Sequence, residues 1–546
     1  MKKKSTFRIL FTVILIAVFL LLIIILSSFL LNKNIKLRIE DEFSKQSKGS
    51  YALKINAVKL NLLAMALSFK GISILPDTNK VHNAIYRFKA KEINFTGIGM
   101  LTYFFKNEID ITTVKLIDPS IELIKGENSG VSKSDTAGTF SLYGFIQTFA
   151  NAITLHNLTV DNFNVILYNK SQDNSPSLMS NDNSFIIKNF HIGQSTTKLP
   201  GYFEADTIVL FMRRFSYTPP DSLYTFSVKE LRASFMDSIL LVDSISFIPN
   251  FSKSKFGDVV GKQTDRFDIK AKSLILEKLD LRRFLEHHSF IASSGAINGF
   301  YLMAHRDRND KREYNVPASL QKILKDAPIY LKIDTLHLND AEVAYEEVSP
   351  GNTVPGKLTF NNILAKFTGI TNDSSAVASG GVINFTANCK LMNTGNLSAT
   401  YKIPLSTEQM DFYCTGFLTD MPMDALNGVL GPLAGIRVKD GYIDTLDFSF
   451  HARENTSNGT MKFLYHNLDL GLSDDGPDNI SGKDRLMMFI ANTFIFKDAN
   501  PEINRPPRIS SLHYERNKQR FMFNYTWKTI LSGIKQTVGL KENKKL

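Results

Sequence analysis

From Tyr51 onward the chain alternates apolar and polar residues. Leu53, Ile55 and Ala57 alternate with Lys54 and Asn56, and Leu67, Phe69, Ile72 and Ile74 resume the habit. Successive side chains of a strand point to opposite faces, so each such run predicts a strand with one apolar face. Residues 88–95, 109–116 and 121–124 continue the pattern. Just upstream the period is different. Ile35, Ile39 and Phe43 recur every four residues, which predicts a short helix that Gly49 ends.

A degenerate repeat runs through the strands. VKLIDPSIEL (114–123), LTVDNFNVIL (158–167) and LHLNDAEVAY (336–345) align without a gap, with Asp118, Asn162 and Asp340 at their fifth positions. Apolar residues fill the first, third, eighth and tenth positions. This spells strand, a bend eased by a short Asx side chain, then strand. The spacing between copies is irregular, so the chain is no fixed-period solenoid. Helical periodicity predicts further helices over 140–150, 279–287, 318–325 and 485–496. Loop composition marks 126–138, 171–184, 349–356 and 474–484. At the C-terminus Ile530, Leu531, Ile534 and Val538 share one face of a basic amphipathic helix over 526–546.

Residues 9–31, from Ile9 to Leu31, carry no charge and would make a helix of about 34 Å, enough to cross a hydrocarbon core of about 30 Å. The run is too long for the apolar region of a cleaved signal peptide, so an uncleaved anchor is expected. Residues 1–8 form a short basic tail, placed in the cytoplasm, with the body on the far side of the bilayer. The net charge of +11 is dispersed along the body. It suits anionic headgroups and, without an arginine-rich stretch or aromatic–basic signature, excludes nucleic acid as the expected partner.

Candidate chemistry is sparse. GNTVPGKL (351–358) nearly spells a phosphate loop, but Leu358 stands where a magnesium-binding hydroxyl is needed, and a strand pattern follows. No GxSxG or HExxH occurs. The ten histidines are scattered, and the two cysteines, Cys389 and Cys414, are expected on strands separated by a third, too far apart for a disulfide. No catalytic residue, metal site or cofactor is expected, and the chain reads as a non-enzyme.

The predicted fold is mainly β with a few short helices: an elongated, curled antiparallel sheet, groove-like, preceded by one N-terminal transmembrane helix. Stacked sheets would bury the apolar faces in dry cores and give a scaffold. A single curled sheet would leave an apolar trough for acyl chains, whose burial is worth about 0.8 kcal/mol per CH₂. Candidate trough-lining residues are Leu53, Ile55, Leu67, Phe69, Leu116, Leu123, Val160, Leu167, Leu338, Val343, Phe385, Phe412, Phe448 and Phe450.

The order of these features resembles the AsmA-like proteins of bacterial envelopes. The match is carried by the apolar run, then IKLRIEDEF, then GSYALKINAVKLNLLAMALSFKGISI (49–74), then VKLIDPSIEL. It is strongest over 412–472, where Leu426, Leu430 and Pro432 precede a strand over 438–450 with Gly441 at a turn, followed by Gly459 and the 465–468 stretch. On this resemblance 32–125 is an N-terminal AsmA-like β region, 126–328 a middle β-rich region with helical insertions, and 329–525 a C-terminal AsmA-like β region. It implies a single-pass inner-membrane protein, mostly periplasmic, in envelope biogenesis. Such a protein would handle phospholipid or assist outer-membrane assembly, with other envelope proteins as further partners. The alternative is a membrane-tethered scaffold acting by protein–protein contact.

Overall fold

The computed structural model describes residues 35–47, 49–61, 63–77, 84–125, 150–169, 175–193, 204–281, 283–284, 289–311, 313–314, 316–473 and 497–539. Twenty-one strands and a few short helices make it mainly β. Two compact units divide between Ser244 and Ile245, inside the stretch 126–328 that the sequence treats as one region. The run 9–31 and the expected helices over 140–149 and 485–496 lie outside the described residues. Among the described residues no helix is long and apolar enough to cross a membrane.

The first unit opens with helix α1 (Ile35–Gln46), then β1 (Tyr51–Asn61), β2 (Ala66–Pro76), β3 (Ala84–Ile98), α2 (Met100–Lys106), β4 (Glu108–Ile117), β5 (Ser120–Lys125), β6 (Ala152–Asn169), β7 (Pro176–Gly193), β8 (Thr207–Tyr217) and β9 (Tyr224–Ser234). Strand β10 (Ile239–Pro249) straddles the division. The second unit holds α3 (Lys253–Val260), β11 (Asp265–Glu277), β12 (Ser289–Asn298), β13 (Tyr301–Asp307), α4 (Leu320–Lys325), β14 (Tyr330–Val348), β15 (Pro355–Thr371), α5 (Ser374–Ala378), β16 (Val382–Leu391), β17 (Gly395–Pro404) and β18 (Phe412–Pro422). A 3₁₀ turn, α6 (Asn427–Ala434), β19 (Ile436–Ala452), β20 (Thr456–Leu472), β21 (Ile509–Glu515) and α7 (Met522–Thr537) follow.

The sheet is mixed, which corrects the expected antiparallel one. Collinear β4 and β5 pair antiparallel with β3 on one side and parallel with β6 on the other. In the second unit β12 and β13 likewise lie between antiparallel β11 and parallel β14. Alternation tells which face a side chain takes but not which way a neighbouring strand runs, so sequence pattern could not distinguish the two. Parallel neighbours need long crossover connections, and 26 residues separate β5 from β6 in sequence.

The repeat is physical. Val114, Leu116, Ile121 and Leu123 stand opposite Leu158, Val160, Val165 and Leu167, so the gapless alignment of two copies is also their hydrogen-bonded register. Asp118, Asn162 and Asp340 all have left-handed backbones, as the strand–bend–strand reading requires. A fourth copy runs over 295–304, without the Asx signature. Gly295, Ile297, Leu302 and Ala304 pair with Leu336, Leu338, Val343 and Tyr345 of the third, and Gly299 takes the Asx position with φ +59°. Both units repeat the same crossing bonds: Asp118 N–H to Asp161 O and Asn164 N–H to Pro119 O in one, Gly299 N–H to Asn339 O and Glu342 N–H to Phe300 O in the other. Left-handed residues continue into the adjoining strands at Asp182 and Arg214, and at Asn362. Bulges bend a strand and increase its twist, so a line of them across neighbours makes the sheet curl.

Three further expectations change. The polar stretch 171–184 is not a loop throughout, because β7 already begins at Pro176. Gly441 sits at a bulge inside the single long strand β19, not at a turn. The C-terminal helix starts at Met522 and packs on β20 and β21 through Met522, Tyr525, Thr526, Thr529, Gly533 and Thr537. Its Gly533 lets the backbone approach closely, since an added Cβ would lie 2.4 Å from a Leu512 methyl. The helices at 35–46 and 320–325 and the loop between β14 and β15 fall where sequence put them.

Candidate functional site: apolar faces and a charged boundary

The first unit has a dry core. Leu53, Ile55, Leu67, Phe69, Leu116 and Val160 pack with residues of β3 to β7, none of the six more than 4% exposed. Phe69 and Phe95 meet edge to face at 6.2 Å. Among the described residues only Phe43 of α1 and Met100 and Tyr103 of α2 join this cluster from helices, so strands supply most of their own cover. Leu167 is also buried, and Leu123 is half-buried.

In the second unit Phe412, Phe448 and Phe450 belong to a closed core under α7. Leu338 and Val343 lie elsewhere, and Phe385, which also packs against that core beside Tyr401, joins them at its edge. They surround buried Ala341, Ile363 and Ala365 together with Phe300, Phe360 and Phe367, all half-buried, and among the described residues this cluster contains no helix residue. Phe367 and Phe385 stack at 4.5 Å. The candidate lining residues are therefore split by the fold: most stand in closed cores, while three form a band that keeps part of its apolar surface in contact with solvent.

Along β14 the band stops at a charged boundary. Two residues beyond Val343, Tyr345 donates to Glu347 at 2.6 Å, and Arg308 reaches the same carboxylate at 3.1 Å. Register brings Arg306 opposite Asp265, which it grips with two bonds of 2.5 and 2.6 Å. Burial, with Glu347 beside it, pushes the Tyr345 hydroxyl far above the usual phenol range. Burial also lowers the Lys528 ammonium of α7.

The alternate face holds a second cluster. Register sets His305 beside Glu346 and Glu346 beside Lys357, and Lys253 of α3 hydrogen-bonds Glu346. Glu346 and His305 are each 6% exposed. His305 Nδ1 lies 3.4 Å from Glu346 Oε2 without a well-formed hydrogen bond. Burial, then the Lys253 charge, depresses the His305 pKa, so the ring stays neutral. Burial works against the Glu346 carboxylate, but the Lys253 bond and charge outweigh it and the net shift is downward. These charges satisfy each other and hold α3 on the sheet. No nucleophile is among them, and among the described residues no group of three His, Cys, Asp or Glu side chains could hold a metal.

Both cysteines are unpaired, on β16 and β18 with β17 between them, as the sequence suggested. Burial raises Cys389 to about 11 and Cys414 to about 12, so neither is a ready nucleophile. A shallow depression of about 490 Å³ on β17 to β20 mixes Thr400, Thr415, Asp447 and Lys462 with Phe417 and Met461. Register sets Asp447 opposite Lys462 there, and among the described residues no histidine or cysteine lines it. Comparison with known protein families and with characterised proteins gives no match.

Proposed function

We propose that the chain is a non-catalytic protein, anchored in a bacterial inner membrane by residues 9–31, whose body takes up the acyl chains of phospholipid in envelope biogenesis. The observation that carries this reading is the half-buried band of Leu338, Val343, Phe360, Phe367 and Phe385, ending at the Tyr345–Glu347–Arg308 boundary. An apolar strip that stops at charge suits an amphiphile, whose tail gains from leaving water while its head keeps polar company. The uncharged run and the resemblance to AsmA-like proteins support the same reading, and the latter favours a periplasmic body.

The test is to purify the full chain in mild detergent and quantify phospholipid retained per protein by mass spectrometry. Stoichiometric phospholipid is expected, and Val343→Asp with Phe385→Asp should lose it while the protein stays folded. Wild-type protein free of lipid and unable to take up added phosphatidylethanolamine would end the lipid reading. The dry core of the first unit favours a second reading, a tethered scaffold working by protein contact. Lipid-free protein cross-linking to one stoichiometric partner would establish it.

A further inference from the structure

We propose that one end of the first unit, built from the β1–β2 turn and helix α2, dips into the interface of the bilayer that holds the anchor. The inference rests on the anchoring read from residues 9–31 and adds the surface with which the body meets the membrane.

The end is apolar and open. Leu60, Leu63 and Met65 at the turn and Leu101, Phe104 and Phe105 on α2 are exposed, Leu63 fully and Phe105 to 83%. Pairing brings the two together: Leu67 lies opposite Phe95, and the Ile98 N–H donates to Met65 O, just before α2 begins. Six large apolar side chains on one end are more than scattered surface hydrophobics, and such a patch marks a contact surface. From Leu60 to Phe69 and from Gly99 to Phe105 the sequence has no charge, and Lys59 and Lys106 flank it. Apolar tips ringed by lysine suit anionic lipid headgroups.

The direction of α1 says what covers this end. The chain turns back after α1 through the Ser47 and Ser50 bonds, and Glu40 accepts from the Ile55 N–H, so α1 lies antiparallel along β1. Going backwards along α1, the chain heads toward the β1–β2 turn. Ile35 lies about 8 Å beyond Glu40, while the turn lies about 20 Å beyond Ile55. The remaining gap of about 12 Å is within reach of the four residue steps from Ile35 back to Leu31, which span at most about 14 Å. The apolar run can therefore leave the membrane level with Leu63 and Phe105. Bilayer, not a distant partner, is what stands next to this end.

The test uses the full chain in vesicles of phosphatidylethanolamine and phosphatidylglycerol, some with brominated acyl chains. An environment-sensitive fluorophore is attached after Leu63→Cys, Phe105→Cys or Lys89→Cys. Lys89 is exposed about nine residues down β3 from the apolar end. Cys414 is buried and Cys389 half-buried, with both thiols pushed up by burial, and wild-type protein gives their labelling background. Labels at 63 and 105 should be quenched several-fold more than the label at 89. Equal, weak quenching at all three sites in protein that resists alkaline carbonate would overturn this inference alone. Leu63→Cys cross-links between copies without quenching would do the same, by showing a second copy in the bilayer's place. Release by carbonate would overturn the anchor and this inference with it.

Discussion

Asn183 is wholly buried, yet its amide has no wasted group. Its Oδ1 accepts from Ser180 Oγ and the Arg213 N–H at 2.8 Å each, and its Nδ2 donates to Phe163 O at 2.9 Å. These bonds tie β6, β7 and β8 together at the line of bulges. Asn183→Ala takes a partner from the Arg213 N–H and the Phe163 carbonyl, while Ser180 Oγ keeps the Arg213 carbonyl, and a buried unpaired polar group costs about 1–3 kcal/mol. A loss of about 2–3 kcal/mol in thermal or denaturant unfolding is expected. This stretch, SPSLMSNDNS, has the composition of a loop, and that is why sequence read it as one. Its polar residues are inside because bulged strands present backbone groups that small polar side chains can satisfy. The Asx repeat was legible for the opposite reason: Asp118, Asn162 and Asp340 stand at the surface of a pattern whose apolar positions are undisguised. The copy at 295–304 hid behind Gly299. There the missing side chain is structural, since Lys272 lies over the glycine, its Cδ 2.4 Å from where a Cβ would be, to reach Asp340 at 3.1 Å. In the first unit the equivalent Lys91 pairs with Asp118 itself, at 3.5 Å.

The same scale carries a pH effect. His305 has a folded pKa below its ordinary value of about 6.5, so the unfolded chain takes up its proton first. Its contribution is therefore present above about pH 6.5 and lost as pH falls toward the depressed folded value. Glu346 is also depressed, so its contribution is present above the ordinary carboxylate pKa and lost as pH falls through the folded one. Both losses point the same way. The melting temperature should fall between pH 7.5 and 5.5, and His305→Gln should flatten that fall; an unchanged slope would refute the assignment to His305.

Elements are held by contacts that periodicity only half reveals. The apolar positions of α7 were legible, but the centre of its buried face is Thr526, Thr529, Gly533 and Thr537. Small residues leave no hydrophobic signal, and they are there because the helix lies close to β21. Gly533→Leu would drive a side chain into Leu512 and Met461. Overpacking of this kind costs about 1–3 kcal/mol, and faster hydrogen exchange across β20, β21 and α7 should report it. Helix α1 does different work. Through Glu40 and Phe43 it lies along β1, and an uncovered strand edge is a template for association. Glu40→Ala should speed exchange at the Ile55 amide without changing exchange in β6. Helix α2 was missed altogether. MLTYFFK has no capping side chain and no buried residue, so nothing in its pattern distinguishes it from a strand.

At the scale of the whole chain, the sequence carried the β class and the curl, while strand direction and the division into units came only from pairing. That division has a thermodynamic consequence. One buried cluster draws on β1 to β8 and the segments that pack on them, and the other on β16 to β21 and the segments that pack on them, α7 included. Each unit buries a large apolar core of its own, the dominant favourable term in folding, so neither needs the other's side chains to complete it. Calorimetry of the full chain in detergent should resolve two transitions. Asn183→Ala should lower only one and Gly533→Leu only the other. By the usual entropy of unfolding, about 2 kcal/mol in a unit of this size moves its midpoint by roughly 4–8 °C, well within resolution. If either substitution lowered both midpoints together, the cores would be coupled and the chain would melt as one body. If they separate, each unit stands on its own core, and substitutions in the half-buried band of the second unit can be made while the first stays folded.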